Sequence, residues 1–152
     1  MKIMNGELCM KAALNLIKLL FVFFLFSPLT YAANPVVEFE TNQGNFKIEL
    51  YPEKAPKTVA NFLYYVNNGF YKETVFHRVI NNFMIQGGGF TREMSEKTTQ
   101  PPIVNESNNG LVNSAGTIAM ARTNDPNSAT AQFFINLIVH KFIGLVKYEV
   151  VN

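Results

Sequence analysis

Cysteine and histidine are scarce in this sequence. Of its 152 residues, one is a cysteine, Cys9, and two are histidines, His77 and His140. A single cysteine excludes an internal disulfide and a zinc site built on cysteines, and two histidines argue against a histidine metal cluster. The sequence therefore offers no metal site of these residue types, and it offers no cofactor motif either.

Charge is also scarce, and it is balanced over most of the chain. Charged residues make up 16% of the sequence, compared with about a quarter in typical globular proteins. The first 32 residues contain three lysines and one glutamate, so residues 33–152 retain 10 basic and 10 acidic residues. This neutrality argues against a protein that binds nucleic acid by neutralising phosphates. The length fits one domain.

Residues 1–32 have the plan of a secretory signal peptide. Lys18 precedes an apolar run at 19–26, and Pro28 then ends any helix. The small residues Thr30 and Ala32 fit the −3 and −1 positions of a cleavage site. The run of eight residues is too short to cross about 30 Å of hydrocarbon, which needs about 20 residues. We expect cleavage after Ala32 and no membrane attachment afterwards. An uncleaved N-terminal anchor is the alternative.

The sequence after residue 33 begins with a hairpin pattern and a helix pattern. Apolar and polar residues alternate at 37–40 and 46–50 on either side of Gly44, which predicts a β-hairpin with one exposed face. Pro56 lies where a first helical residue would, and apolar residues recur at i, i+3, i+4 and i+7 from Val59. This predicts an amphipathic helix packed on the apolar face of the hairpin.

Later segments add strands and one long connection. Strand-like runs follow at 74–79, 83–87, 116–121 and 133–137. Short antiparallel strands with one early helix suggest a barrel. The polar stretch between Gly88 and Gly116 is too long for an ordinary turn, so we expect it to be functional or mobile.

Two neighbouring strands bring together side chains that could form a binding surface. Strand alternation places Phe76 and Arg78 on one face, and Met84 and Gln86 on one face of the next strand. Together they offer an apolar floor, a cationic donor and an amide. The competing interpretation is a surface arginine beside core aromatics. His77 faces the other way and is expected to be a hydrogen-bonded core histidine.

The motifs resemble those of the cyclophilin family of peptidyl-prolyl cis-trans isomerases. Residues 76–80 read FHRVI and 83–88 read FMIQGG, while GTIAMA at 116–121 and SATAQFFIN at 128–136 are similar to the next two family motifs, in order. The resemblance covers about 36–136. It implies an antiparallel barrel, eight-stranded in the family and capped by two helices, with proline bound on its outer face. With the leader, the chain resembles the exported bacterial cyclophilins, and we expect a periplasmic monomer.

The resemblance also implies a role for individual residues. Arg78 matches the catalytic arginine of the family. The residues that match the proline pocket and the peptide-binding strip are Phe83, Met84, Phe134, Gln86, Ala121, Arg122, Gln132, Phe142 and Ile143. The implied partners are proline-containing unfolded or flexible polypeptides, with cyclosporin-type ligands as further binders.

The end of the sequence departs from the family pattern. The residues after Asn136 do not resemble the family's continuation, so we expect a C-terminally truncated barrel with unpaired edges. The function implied is acceleration of X–Pro bond rotation in exported polypeptides during folding. A non-catalytic, chaperone-like module that binds proline peptides and an inactive truncated gene product are the alternatives.

Overall fold

The computed structural model describes residues 33–137, the pair Leu14–Asn15 and the strand Tyr148–Glu149. The chain divides into two units, Met1–Ala33 and Asn34–Asn152. Apart from Leu14, Asn15 and Ala33, the first unit lies outside the described residues, and so does the rest of the predicted signal peptide. No helix within the described part of the chain is long and apolar enough to cross a membrane.

The described residues of the second unit form one helix and two antiparallel sheets. In chain order the elements are β1 (Val36–Phe39), β2 (Phe46–Glu49), α1 (Pro56–Asn67), β3 (Arg78–Ile80), β4 (Met84–Gly87), β5 (Ile118–Met120), β6 (Phe133–Asn136) and β7 (Tyr148–Glu149). The first sheet has the strand order β1-β2-β7 and the second the order β3-β4-β6-β5. The predicted mainly β fold with a helix is confirmed.

The helix α1 begins and ends for different reasons. Ala55 precedes it and offers no side-chain oxygen, so the cap comes from Glu106, whose carboxylate accepts bonds from the backbone N–H of Lys57 at 3.1 Å and of Thr58 at 2.8 Å. This negative charge also suits the positive end of the helix dipole. At the other end Gly69 adopts φ 65°, and Phe70 N–H donates to the Tyr65 carbonyl, which is the Schellman arrangement.

The core lies where α1 and the inward faces of the two sheets meet. Its centre is formed by Ile48, Leu50, Val59, Phe62, Ile118, Phe133 and Ile135. The alternation in β4 and β6 follows from this packing. Phe133 and Ile135 point into the core, while Phe134 points to the opposite face of the second sheet.

One strand boundary differs from the prediction, with consequences for two side chains. The run at 74–79 becomes a strand only from Arg78, so alternation cannot be extended back from it. Phe76 instead packs edge-on against Phe133, with 6.1 Å between the ring centroids, and joins the core rather than the Arg78 face. The ring centroids of His77 and Phe90 lie 4.5 Å apart, and the buried Nδ1 of His77 has no hydrogen-bond partner among the described residues. The expectation of a hydrogen-bonded histidine is therefore wrong at that nitrogen.

Candidate functional site

The outer face of the second sheet carries several of the residues that the sequence singled out. Arg78 on β3 pairs with Gln86 on β4, and Gln86 pairs with Phe134 on β6. Directly paired residues of antiparallel strands project to the same side, so these three side chains form one row across the sheet. Backbone pairing therefore brings together residues that are far apart in the sequence.

A chain of hydrogen bonds runs along this face. Arg78 Nη1 donates to Gln86 Oε1 at 3.3 Å, and Gln86 Nε2 donates to Gln132 Oε1 at 3.0 Å. Gln132 Nε2 in turn donates to Glu96 Oε1 at 3.2 Å. We call these four residues the Glu96 relay. Arg78 lies at the opposite end of the relay from Glu96 and is exposed, so its guanidinium can reach a bound ligand while Gln86 restrains it.

The segment that carries Gln132 is fixed by groups from elsewhere in the fold. Asn61 on α1 donates to the Thr130 carbonyl at 2.6 Å, and the Tyr71 hydroxyl donates to the Ala131 carbonyl at 2.8 Å. Burial raises the pKa of Tyr71 above its ordinary value, so this hydroxyl keeps its proton and remains a donor. The anchored carbonyls lie one and two residues before Gln132 and fix where its side chain begins.

An apolar surface accompanies the relay. Met84 is buried, Phe134 is half-buried, and Phe83 is 39% exposed. Phe83 precedes β4, in a turn whose residue Asn82 has φ 55°. The strand alternation that would place Phe83 with Ile85 in the core therefore does not apply to it.

The glycine run that ends β4 and follows it makes room for the side chains of Phe133 and Gln132. A Cβ on Gly88 would lie 2.6 Å from the Phe133 ring, and Gly88 has φ 81°, a conformation that glycine adopts most readily. A Cβ on Gly89 would overlap the side chain of Gln132. Any larger residue at Gly88 or Gly89 would therefore collide with a neighbouring side chain.

The remaining predicted residues have different positions. Ala121 is half-buried, and its N–H donates to the Gln132 carbonyl at 2.8 Å, so it borders the relay. Arg122 is exposed and donates to the Thr123 carbonyl at 2.9 Å. Phe142 and Ile143 lie outside the described residues, and their roles stay predictions.

Arg122 also borders a hollow in the described part of the molecule. This hollow opens to solvent and reaches the core side, where Ile48, Val59, Phe62 and Phe133 line it. Its lining contains neither Arg78 nor any other residue of the Glu96 relay.

Sequence reasoning missed Glu96, which ends the relay. Glu96 lies in the polar stretch after Gly88, where no periodicity indicates which side chain turns toward the sheet. The structure shows why it does so, because Thr91 N–H donates to the Ser95 carbonyl at 3.0 Å and Lys97 N–H donates to the Gly89 carbonyl at 2.9 Å. Within the described residues, no group of three or more histidine, cysteine, aspartate or glutamate side chains could hold a metal ion.

Comparison with known proteins places this arrangement in a family. Residues 36–144 match the family model described as cyclophilin type peptidyl-prolyl cis-trans isomerase. The chain belongs to the cyclophilin family. This confirms the resemblance drawn from the motifs, and the matched range includes the whole Arg78 face and α1.

Curated bacterial peptidyl-prolyl cis-trans isomerases are similar over most of the chain. A peptidyl-prolyl cis-trans isomerase of Acinetobacter baylyi is 60% identical over 112 residues, which cover 74% of this chain and 60% of that protein. Peptidyl-prolyl cis-trans isomerase B of Escherichia coli is 58% identical over 109 residues, which cover 72% of this chain and 66% of that protein. The chain thus spans less than two thirds of the length of these relatives.

Solved cyclophilin structures share the fold. A cyclophilin from Hirschia baltica superposes with a TM-score of 0.67 at 26% identity, covering 78% of this chain and 64% of that one. A cyclophilin type isomerase from Cryptosporidium parvum, determined in the presence of the dipeptide Ala-Pro, superposes with a TM-score of 0.63 at 28% identity, covering 78% of this chain and 79% of that one.

Proposed function

We propose that this cyclophilin catalyses cis–trans isomerisation of X–Pro peptide bonds in exported polypeptides as they fold. The observation that carries the proposal is the position of Arg78. Its guanidinium is exposed, it is restrained by Gln86 at 3.3 Å, and it lies on the same sheet face as Met84 and Phe134. A cationic donor beside an apolar surface suits a prolyl ring whose nitrogen must be approached by a hydrogen bond.

The energetic demand of this reaction is modest. Amide resonance sets a barrier of about 18–20 kcal/mol to rotation about the peptide bond, and uncatalysed X–Pro isomerisation takes tens to hundreds of seconds. Each 1.36 kcal/mol removed from a barrier accelerates the reaction about tenfold. A thousandfold acceleration therefore needs about 4 kcal/mol of transition-state stabilisation.

Arg78 can supply a large part of this stabilisation. In the planar ground state the lone pair of the prolyl nitrogen is delocalised into the carbonyl and accepts a hydrogen bond poorly. In the twisted transition state the nitrogen becomes pyramidal and its lone pair is localised. A hydrogen bond from a donor aimed at that nitrogen is therefore stronger in the transition state than in the ground state, which is the requirement for catalysis.

The apolar residues would hold the proline while the rest of the chain rotates. Met84 and Phe134 provide the inner part of this surface and Phe83 its exposed edge. The presence of Ala-Pro in the Cryptosporidium parvum structure supports a proline-containing peptide as the ligand. The step makes and breaks no covalent bond, so it needs no nucleophile.

A protease-coupled assay of a short Ala-Xaa-Pro peptide tests the proposal. We expect the cis-to-trans rate to rise linearly with the concentration of the purified protein. The control is a titration of the same peptide followed by NMR chemical shifts. Peptide binding without any acceleration would contradict catalysis and favour the non-catalytic proline-binding module.

Replacing Phe134 by alanine should weaken peptide binding more than it slows the bound reaction. The half-buried ring lies on the outer face, so its loss removes apolar contact with proline in the ground state and the transition state alike. We expect KM to rise about tenfold, corresponding to about 1.4 kcal/mol of lost contact, with kcat within about threefold. Steady-state kinetics by NMR exchange measure both values. A large fall in kcat at unchanged KM would contradict a ring-holding role.

Export should remove the first 32 residues. The order of basic, apolar, proline and small residues supports a signal peptide cleaved after Ala32. When the full chain is expressed in a Gram-negative host, N-terminal sequencing of the periplasmic protein should begin at Ala33. A full-length product retained in the inner membrane would identify the segment as an anchor.

A further inference from the structure

The hydrogen bonds of the Glu96 relay all run in one direction. Arg78 donates to Gln86, Gln86 donates to Gln132, and Gln132 donates to Glu96. An arginine side chain has only donors and an ionised carboxylate only acceptors, whereas a glutamine amide has a donor end and an acceptor end. With these two termini, only one orientation of the two amides satisfies every link.

That orientation decides what Gln86 presents to Arg78. Because Glu96 can only accept, Gln132 must turn its NH2 toward Glu96 and its carbonyl toward Gln86. Gln86 then donates to Gln132 and presents its own carbonyl to Arg78, at 3.3 Å from Nη1. If the terminal group were a donor, both amides would reverse, and an NH2 group would face the guanidinium.

The backbone on both sides of the contact between Gln132 and Glu96 is fixed. The Thr91 and Lys97 N–H bonds flank Glu96, and the Lys97 ammonium group donates to the Phe70 carbonyl and lies 4.9 Å from the Phe70 ring centroid. On the other side, Gln132 follows the anchored Ala131 carbonyl and packs against Gly89. The carboxylate and the amide are thus held toward each other by the fold and not by their own hydrogen bond alone.

We propose that Glu96 is a positioning residue that acts through Gln132 and Gln86 to orient the guanidinium of Arg78. Its effect on catalysis rests on the proposed isomerase function, since it presupposes that Arg78 is the catalytic donor. Its effect on the orientation of Arg78 does not depend on that function. Glu96 itself need not contact the peptide.

Substitutions at Glu96 separate the polarity of the relay from its charge. Glu96→Gln keeps an acceptor for Gln132 and should retain kcat within about twofold. Glu96→Lys places a donor at the end of the relay and should lower kcat about fivefold, about 1 kcal/mol on the barrier, while KM changes less than about twofold. Glu93→Lys makes the same charge change in the same exposed loop and is the control.

A second variant interrupts the relay at its middle. Gly89→Ala introduces a Cβ that overlaps the Gln132 side chain, so Gln132 must move. We expect it to lower kcat to about the level of Glu96→Lys, about fivefold below the wild type. In the Gly89→Ala background, Glu96→Lys should add no further loss, because the link it acts through is already broken.

The orientation of Arg78 can be measured without any substrate. The chain has three arginines, at positions 78, 92 and 122, so a protein with labelled arginine gives a small set of guanidinium signals. Rotation of the Arg78 guanidinium should be slow in the wild type and in Glu96→Gln, and faster in Glu96→Lys and Gly89→Ala.

The outcomes separate this inference from the proposed function. Equal guanidinium rotation and equal kcat in the wild type and Glu96→Lys would overturn the role of Glu96. An equal loss in Glu93→Lys would replace it with a general effect of loop charge. A wild type without isomerase activity would overturn the proposed function, and the rotation measurement alone would then decide whether Glu96 orients Arg78.

Discussion

Replacing Arg78 by alanine should lower kcat about 100-fold or more, with KM changed less than about threefold, since loss of one transition-state donor costs about 2.7–4 kcal/mol. The size of this effect follows from when the hydrogen bond forms. The prolyl nitrogen accepts well only while the peptide bond is twisted, so the loss falls on the transition state and barely on the bound ground state. NMR exchange measurements on an X–Pro peptide give the catalysed rate, and a titration gives the affinity.

Two further arginine variants make this result specific. Arg78→Lys keeps the charge but loses the fixed, forked geometry that donates to Gln86 and to the peptide together, so kcat should fall about tenfold. Arg92→Ala removes an exposed arginine from the turn beyond β4 and should leave kcat unchanged. If Arg78→Ala isomerises the peptide at the wild-type rate, the proposed mechanism is wrong.

Replacing Phe133 by alanine should reduce the free energy of unfolding by about 3–5 kcal/mol, which is the usual cost of truncating a buried phenylalanine. Phe133 is 3% exposed and is the ring around which the aromatic core is arranged. Its ring centroid lies 5.4 Å from that of Phe39, 6.0 Å from that of Phe62 and 5.5 Å from that of Tyr71, in edge-to-face contacts. Such pairs contribute about 0.5–1.5 kcal/mol each beyond the area they bury.

The adjacent phenylalanine provides the control for this loss of stability. Phe134→Ala removes the same ring one residue further along β6, but from the half-buried outer face. Urea denaturation of both variants should show the larger loss for Phe133→Ala. Equal losses would indicate that the two faces of the second sheet are equally important for stability, which contradicts the packing described above.

The sequence predicted those parts of the fold that depend on local pattern. The hairpin forms with Val37 opposite Ile48, as the alternation required, and α1 begins at Pro56. The prediction was wrong at β3, where the strand-like pattern begins at Thr74 but the ladder starts only at Arg78. An apolar run shows that residues will be buried, whereas hydrogen bonding to a partner strand decides where a strand starts.

The candidate site was predictable to a similar degree. Arg78, Met84 and Gln86 could be grouped from two neighbouring strands, and the motifs added Phe134 and Gln132 through the family resemblance. The position of these residues on one face is decided by the register of three strands. A shift of one residue would have turned Phe134 into the core and Phe133 outward.

The sequence alone determined the elements whose cause lies within a few residues: the turn at Gly44, the start of α1 at Pro56 and its end at Gly69. It also determined the balance of charge and the family motifs. Tertiary structure decided which distant groups complete those elements. Glu106 caps α1 from 49 residues beyond Lys57, and Glu96 reaches Gln132 across 36 residues. Such pairs leave no periodic signal, because a carboxylate in a long loop finds its partner only after strand pairing and core packing have fixed both backbones.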